Sequence, residues 1–349
     1  MHLEDTKMAI SQVNLCTGVE PPSSTLHRRA LLVAAANALG LASMGGVLPA
    51  RAWTPTRPIH VLIGFPPGGS ADIVVRIVGE GVRRTSGITI VGEVRSGAYG
   101  FIAAQAAALA APDGYTLATA LMGMMSVLPA IPGAKIPFNI DRDLTPVTNL
   151  AGSIMALVAR PDAPFDDVDG MIAYARGGKA TYASAGPGSI NHLGAAYIAR
   201  EIGVEMLHVP YRGGAPATMD IIAGRVDIMV SNVAEVAPMI REGKMKALGV
   251  TANHVSPMVP NAPPLAQRFA RMEINNWFGL AGPANMPGDV VESLAALFAT
   301  ALSEPQTLQL LADRGLEPLP VSGPAFAEQI RRDRARWAEV AQGSNIRID

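Results

Sequence analysis

From Ile59 onward, short apolar runs alternate with amphipathic stretches, and this rhythm constrains the fold more than any other feature of the chain. Ile59 to Phe65 reads as a buried strand. Asp72 to Arg84 reads as a helix with Ile73, Ile77, Val78 and Val82 on one stripe, and Ile88 to Val94 as a second strand. Phe101 to Leu109 is an Ala-rich helix and Thr116 to Ala120 a third strand. The pattern resumes with strands at Ile154 to Ala159, Ala180 to Ala183, Met206 to Val209, Asp227 to Val230 and Ala247 to Val250. Helices are expected between them at Val168 to Ala175, Asn191 to Ile202, Pro216 to Ala223 and Ala234 to Arg241. Such alternation predicts α/β architecture, with mainly parallel, doubly wound sheets covered by helices on both faces. Two Pro-rich stretches without periodicity, Pro129 to Pro146 and Ser256 to Pro264, read as crossings between two lobes. After a strand at Trp277 to Ala281 the chain turns helical, at Asp289 to Leu302, Gln306 to Ala312 and Ala325 to Ala341, and these helices are expected to return to the first lobe.

The start of the chain follows different rules. Polar residues lead to His27-Arg28-Arg29, a charge-free stretch runs from Ala30 to Val47, and small residues stand at Ala50 and Ala52. This is the layout of a secretory signal, with residues 1–52 removed before Trp53; the arginine pair suggests the twin-arginine route. The alternative, a membrane anchor, is disfavoured because the stretch is rich in Ala and Gly, only just long enough to span, and followed at once by Pro49 and Arg51. The one cysteine, Cys16, lies in the leader, so the exported chain has no disulfide and depends on a large core. With 28 Lys+Arg against 29 Asp+Glu, the charge balance gives no electrostatic basis for a nucleic-acid partner, and 49% apolar residues exclude disorder.

In doubly wound sheets ligands sit beyond the carboxyl ends of the strands, so the strand-to-helix loops are where function is sought. Phe65-Pro66-Pro67-Gly68-Gly69-Ser70-Ala71-Asp72 follows the first strand and opens a helix. Tyr182-Ala183-Ser184-Ala185-Gly186-Pro187-Gly188-Ser189-Ile190-Asn191 repeats the arrangement later. Glycine allows close backbone approach, and the free N–H groups of a first helical turn attract an anion. Two helix N-termini facing one cleft would hold a carboxylate without Arg or Lys. The competing reading of each loop is turn chemistry, with Ser70 or Ser189 as an N-cap contributing about 1 kcal/mol. Asp72 is either a first-turn acid matched to the helix dipole or a partner for a ligand ammonium or hydroxyl. Val209-Pro210-Tyr211-Arg212-Gly213-Gly214 forms a third loop, whose Tyr211 and Arg212 either touch a ligand or stay on the surface.

Catalytic patterns are incomplete. Gly186-Pro187-Gly188 lacks the third glycine of a dinucleotide fingerprint, and Ser184 lacks the first glycine of G-x-S-x-G. His60, His192, His208 and His254 have no metal-ligand spacing, so neither zinc nor a cofactor is expected. His192 fits a capping or pocket-lining position better than that of a base for Ser189. Arg331, Arg332, Arg334 and Arg336 are the solvated face of a helix whose Phe326, Ile330, Trp337 and Val340 form a docking stripe. An α/β hydrolase acting on a small acid therefore stands as the alternative, short of an identified nucleophile and base.

Read in order, Arg57-Pro58-Ile59, the Phe65–Asp72 loop, Ala111-Pro112-Asp113-Gly114-Tyr115-Thr116-Leu117, Tyr182-Ala183-Ser184-Ala185-Gly186, His208-Val209-Pro210-Tyr211-Arg212-Gly213-Gly214-Ala215-Pro216 and Trp277-Phe278-Gly279-Leu280 resemble the Bug family. These are the TctC-like extracytoplasmic receptors of tripartite tricarboxylate transporters. The resemblance implies a type II, two-lobed periplasmic binding protein that closes about a hinge on a small organic acid. It also implies delivery to membrane permease subunits or to a sensor, and a monomer in the periplasm. One lobe would comprise residues 53–153 and 276–349, the other residues 154–275. Carried over residue by residue, it assigns ligand binding to Phe65, Gly68, Gly69, Ser70, Ala71 and Asp72 from one lobe and to Ser184, Gly186, Gly188 and Ser189 from the other, with His192, Tyr211 and Ser231 added from their loops.

The chain departs from the family in three places. Where relatives show Glu-Asn-Arg-Pro-Gly-Ala-Gly-Gly, this chain has Glu93-Val94-Arg95-Ser96-Gly97-Ala98-Tyr99-Gly100, which brings Tyr99 near the cleft. Val226-Asp227-Ile228-Met229-Val230 leads to Ser231 rather than to an Asp suited to a ligand amine, which argues against an amino-acid ligand. Met122, Met124 and Met125 either line an apolar distal pocket or fill the core.

Overall fold

The computed structural model describes residues 53–269 and 272–343, so the expected signal segment, residues 1–52, lies outside the described residues. Strand β1 (Ile59–Ile63) is followed by α1 (Ser70–Ser86), β2 (Ile90–Val94), α2 (Phe101–Ala108) and β3 (Thr116–Leu121). Both β2 and β3 pair with β1 in parallel. The inward face of α1 is Val74, Val78 and Val82, each fully buried, with Val75 beside them. Ile73 and Ile77, expected in the stripe, lie at its half-buried edge, so the helix is turned about one residue from the sequence reading.

A π-helical turn (Gly123–Val127) precedes the expected crossing and the short α3 (Ile140–Asp143) lies within it, but the chain is already in β4 (Leu144–Ala159) before Pro146. This strand has 16 residues, about 50 Å at ~3.3 Å each. It accommodates Pro146, which has no N–H to donate, at a shift of register between Pro146 and Thr148. Beyond β4 come α4 (Val168–Arg176), β5 (Thr181–Ser184), α5 (Ile190–Glu201), β6 (Leu207–Pro210), α6 (Gly214–Ile222), β7 (Ile228–Asn232), α7 (Val233–Arg241), β8 (Lys246–Val250) and α8 (Leu265–Arg268). The chain ends with β9 (Asn275–Pro283), α9 (Gly288–Leu302), α10 (Pro305–Ala312), β10 (Glu317–Pro318) and α11 (Gly323–Gly343).

The strands run in the order β2-β1-β3-β9-β4-β7-β5-β6, with β8 and β10 also paired to β4. Parallel pairing is confined to the two wings, β2-β1-β3 and β7-β5-β6. Between them, β9 is antiparallel to both β3 and β4, and β4 is antiparallel to β7 and β8. The expectation of mainly parallel sheets therefore fails in the middle, because two strands traverse the molecule instead of crossing over through a helix. From Leu144 to Ile154, β4 pairs with β9; from Met155 to Ala159 it pairs with β7 and β8. One strand thus belongs to both halves of the sheet.

One apolar cluster centres on Ile59, Val61, Val78, Leu117, Leu294 and Phe298, where α9 packs on α1, another on Val158, Ile221, Met229 and Val236, and a third, with Phe101, Met155, Tyr182, Ile228 and Trp277, is shared by both halves. Trp277 of β9 meets Phe326 of α11 edge-on at 5.2 Å, and Phe326, Ile330 and Trp337 are buried as the docking stripe requires. Met124 and Met125 are fully buried in the core. No helix of the described residues is long and apolar enough to cross a membrane.

Candidate ligand-binding site

Where the two halves of the sheet meet, the strand-to-helix loops enclose a cavity of about 430 Å³. Phe65, Gly68, Gly69, Ser70 and Ala71 line it from the first loop. Gly68 has φ +84°, a left-handed conformation open to glycine at little cost, and its N–H donates to Asp72 Oδ2 at 2.9 Å. The other Asp72 oxygen accepts from Arg76 Nε at 2.8 Å, one turn along α1. Asp72 is 4% exposed and does not line the cavity. Of its two readings the structure supports the local one: the carboxylate shapes the loop and is neutralised by Arg76 rather than aimed at a ligand.

The second loop reaches the cavity through Ala185, Ile190 and Asn191. Ser184, Gly186, Gly188, Ser189 and His192 stand behind this wall. Ser189 caps α5 by accepting the His192 N–H at 3.1 Å, so its side chain plays the capping role. His192 Nδ1 accepts the Gly188 N–H at 3.2 Å, and its ring stacks on His208 at 4.0 Å, which in turn stacks on Tyr182 at 4.9 Å. Burial, with the neighbouring His208, pushes His192 down to about 4, and burial lowers His208 as well, so a pair of neutral imidazoles braces the loop from below. Ser184 Oγ lies 2.7 Å from His208 Nε2, a serine–histidine contact that the sequence did not announce. Ser184 is fully buried and is not among the residues that line the cavity. Tyr211 is also absent from the lining; its hydroxyl donates to Asp220 Oδ2 at 2.7 Å, while the following Gly214 and Ala215 face the cavity.

Two side chains outside the expected set dominate the site. Glu235, in the first turn of α7, places its carboxylate against the start of α1. Its Oε1 accepts from Ser70 Oγ at 2.8 Å, Ser70 N at 3.3 Å and Asn232 Nδ2 at 3.1 Å, and its Oε2 accepts from Ser231 Oγ at 3.1 Å. Asn276 of β9 extends this chain by donating to Asn232 Oδ1 at 3.0 Å. Ser231 therefore contributes through Glu235, not by lining the cavity. Glu235 was not legible because β7 passes into α7 without a glycine-rich loop; its signal was an acid in the first turn of a helix that opens directly at a strand end.

Tyr99 is the second. It sits in the left-handed region (φ +57°, ψ +33°), a conformation that costs a non-glycine residue about 1–3 kcal/mol. Its ring meets Phe65 edge-on at 5.5 Å, and its hydroxyl accepts the Ile190 N–H at 3.3 Å, the first helical donor of α5. Burial raises the phenol well above its usual range, so it stays neutral. The ring fits because residue 123 is glycine: a Cβ there would overlap the Tyr99 hydroxyl. Both helix N-termini read from the sequence as anion sites thus carry a side chain of this protein, a carboxylate at α1 and a phenol at α5. Around them Ile73, Leu121, Met219, Met239 and Phe278 make much of the remaining wall apolar, with Arg314 exposed at the rim. Among the described residues no group of three His, Cys, Asp or Glu is placed to hold a metal ion.

Comparisons with known proteins agree with this architecture. The sequence profile of the tripartite tricarboxylate transporter family receptor, TctC, matches residues 74–346. The UPF0065 protein of the tcbD-tcbE intergenic region of Pseudomonas sp. (strain P51) is 33% identical over 290 residues, 82% of this chain and 86% of that protein. Among solved structures, an R. palustris protein with adipate superposes with a TM-score of 0.78 at 28% identity, covering 84% of this chain and 99% of the other. The periplasmic binding protein BugD gives 0.77 at 28% identity, covering 84% and 99%. The profile spans most of the described chain and the neighbours share its whole two-lobed frame, so the chain belongs to the TctC family of tripartite tricarboxylate transporter receptors, the Bug-type periplasmic binding proteins.

Proposed function

We propose that this protein captures a small carboxylate from the periplasm in the cavity between its lobes and hands it to a permease of the tripartite tricarboxylate type. One lobe is assigned to residues 53–153 and 276–343 and the other to residues 154–275, hinged where β4 exchanges β9 for β7 and β8. The observation that carries the reading is the convergence of helix N-termini on one point of the cavity. The Ser70 N–H of α1 is hydrogen-bonded there, the first turn of α7 supplies Glu235, and a Cβ on Gly214, which opens α6, would lie 3.3 Å from Glu235 Oε2. Three helix dipoles pointing at one spot stabilise negative charge without a cationic side chain. The adipate bound by one structural relative supports the same ligand class.

The ligand-binding residues in this reading are Phe65, Gly68, Gly69, Ser70, Ala71, Ile190 and Asn191, with Asp72, Ser184, Ser189 and His192 holding the loops in shape. Binding and release require only that closure be favoured when the acid bridges the lobes. The test is a thermal-shift screen of the exported chain, unfolded and refolded to strip carried-over ligand, against mono-, di- and tricarboxylates, aromatic acids and amino acids. At 100 times Kd a ligand adds about 2.7 kcal/mol, a shift of several degrees. A saturable shift with one class of acid is expected; none with any of them would refute the reading. Ser70→Asp, which sets a second carboxylate against Glu235, should abolish the shift.

A further inference from the structure

We propose that Glu235 is a tethered competitor for the ligand's carboxylate, and that this competition makes the cleft selective for acids with an apolar body. The inference rests on the receptor reading above. Glu235 gathers four donors, with Ser70 N, Ser70 Oγ and Asn232 Nδ2 on Oε1 and Ser231 Oγ on Oε2. These donors come from both sides of the cleft, Ser70 on α1 and the other two at the end of β7. They are the groups a ligand carboxylate needs to bridge the lobes. Nor does the position suit a ligand cation, since the N-termini of α1, α6 and α7 converge on it.

A ligand carboxylate that takes this position gives the protein only what Glu235 already gives it. The exchange is close to neutral, and the affinity must come from the rest of the molecule. What the cavity offers the rest is Phe65, Ile73, Leu121, Met219, Met239 and Phe278. Apolar area buried against these walls is favourable, whereas a second carboxylate loses water there with only the Thr218 hydroxyl and loop amides to meet it and no buried cation in the lining. The one cation in the lining, Arg314, is exposed at the rim, where water screens its pairing. The ligand class is therefore a monocarboxylate carrying an aromatic ring or a branched aliphatic chain.

The experiment is isothermal titration of the refolded exported chain and of Glu235→Gln with benzoate and with malate. Removing the competing charge should tighten both acids at least tenfold, and the wild-type protein should prefer benzoate to malate by at least tenfold. An affinity unchanged or weakened in Glu235→Gln overturns the competition, and a wild-type preference for malate overturns the apolar selectivity. A second measurement needs no variant: the Glu235 carboxyl ¹³C resonance of the wild-type protein should move on saturation with benzoate, and a resonance that stays in place overturns the displacement. Failure of both proteins to bind any acid of the wider panel defeats the receptor reading itself, an outcome distinct from either of these.

Discussion

Replacing Gly123 by alanine drives a methyl group into the space of the Tyr99 ring, with the new Cβ 2.8 Å from ring carbons and overlapping the hydroxyl. Two responses are open. If the ring stays, the overpacking costs about 1–3 kcal/mol. If it leaves, the protein loses the hydrogen bond from Ile190 N, about 0.5–1.5 kcal/mol, and the edge-on contact with Phe65, another 0.5–1.5 kcal/mol. Either route comes to about 1–3 kcal/mol, or roughly 2–10 °C in Tm for a chain of this size. The assay is a double-mutant cycle by thermal unfolding. With Tyr99→Ala already in place the obstacle is gone, and Gly123→Ala should become neutral or stabilising by up to about 1 kcal/mol, because alanine is the better residue in a helical turn. A reversal of sign between the two backgrounds is the expected result. Additivity within about 0.5 kcal/mol would show that the ring and residue 123 are independent and refute the packing argument.

Other consequences are as concrete. A titration of the His192 ring by NMR should give a midpoint near pH 4; a midpoint at 6 or above contradicts the buried neutral stack. Because that base is depressed in the folded state, its contribution to stability is present above the unfolded value of about 6.5 and is lost as pH falls toward 4. Glu304 is held at about 2, chiefly by hydrogen bonds from Arg84 and Thr307, so its contribution is present above about 4.5 and is lost as pH falls toward 2; Glu304→Gln should flatten the dependence of Tm on pH over that interval. Gly279→Ala sets a Cβ 2.7 Å from the Thr148 carbonyl and 2.5 Å from Phe326 Cζ. Backbone cannot swing aside as a side-chain tip can, so a loss of about 2–3 kcal/mol is expected in chemical denaturation, and a loss under 0.5 kcal/mol would contradict it.

Most elements were legible because each is dictated locally. The apolar stripes of α1, α9 and α11 follow a helical period, and β1, β3 and β7 are runs too short and too apolar for anything but buried strand. The glycines of the first loop and Ser189 as a cap were equally readable, since left-handed backbone and N-caps are set within a few residues. The departure at Tyr99 was visible as well, though not what the ring does there.

Three things were decided by the tertiary structure alone. Strand β4 spans both halves of the sheet because β9 on one side and β7 and β8 on the other supply its hydrogen bonds, partners at least 69 residues away that no local pattern specifies. The stack of Tyr182, His192 and His208, with Ser184 beneath it, joins two parallel strands and a helix whose register emerges only on folding. The charge in the cleft comes from Glu235, 165 residues beyond the serine it contacts. The sequence determined which helix ends can hold an anion, because free N–H groups and dipoles belong to each helix by itself. Which anion sits on them, and from which side of the cleft, depends on long-range packing, and there only the folded chain brings Glu235 to Ser70.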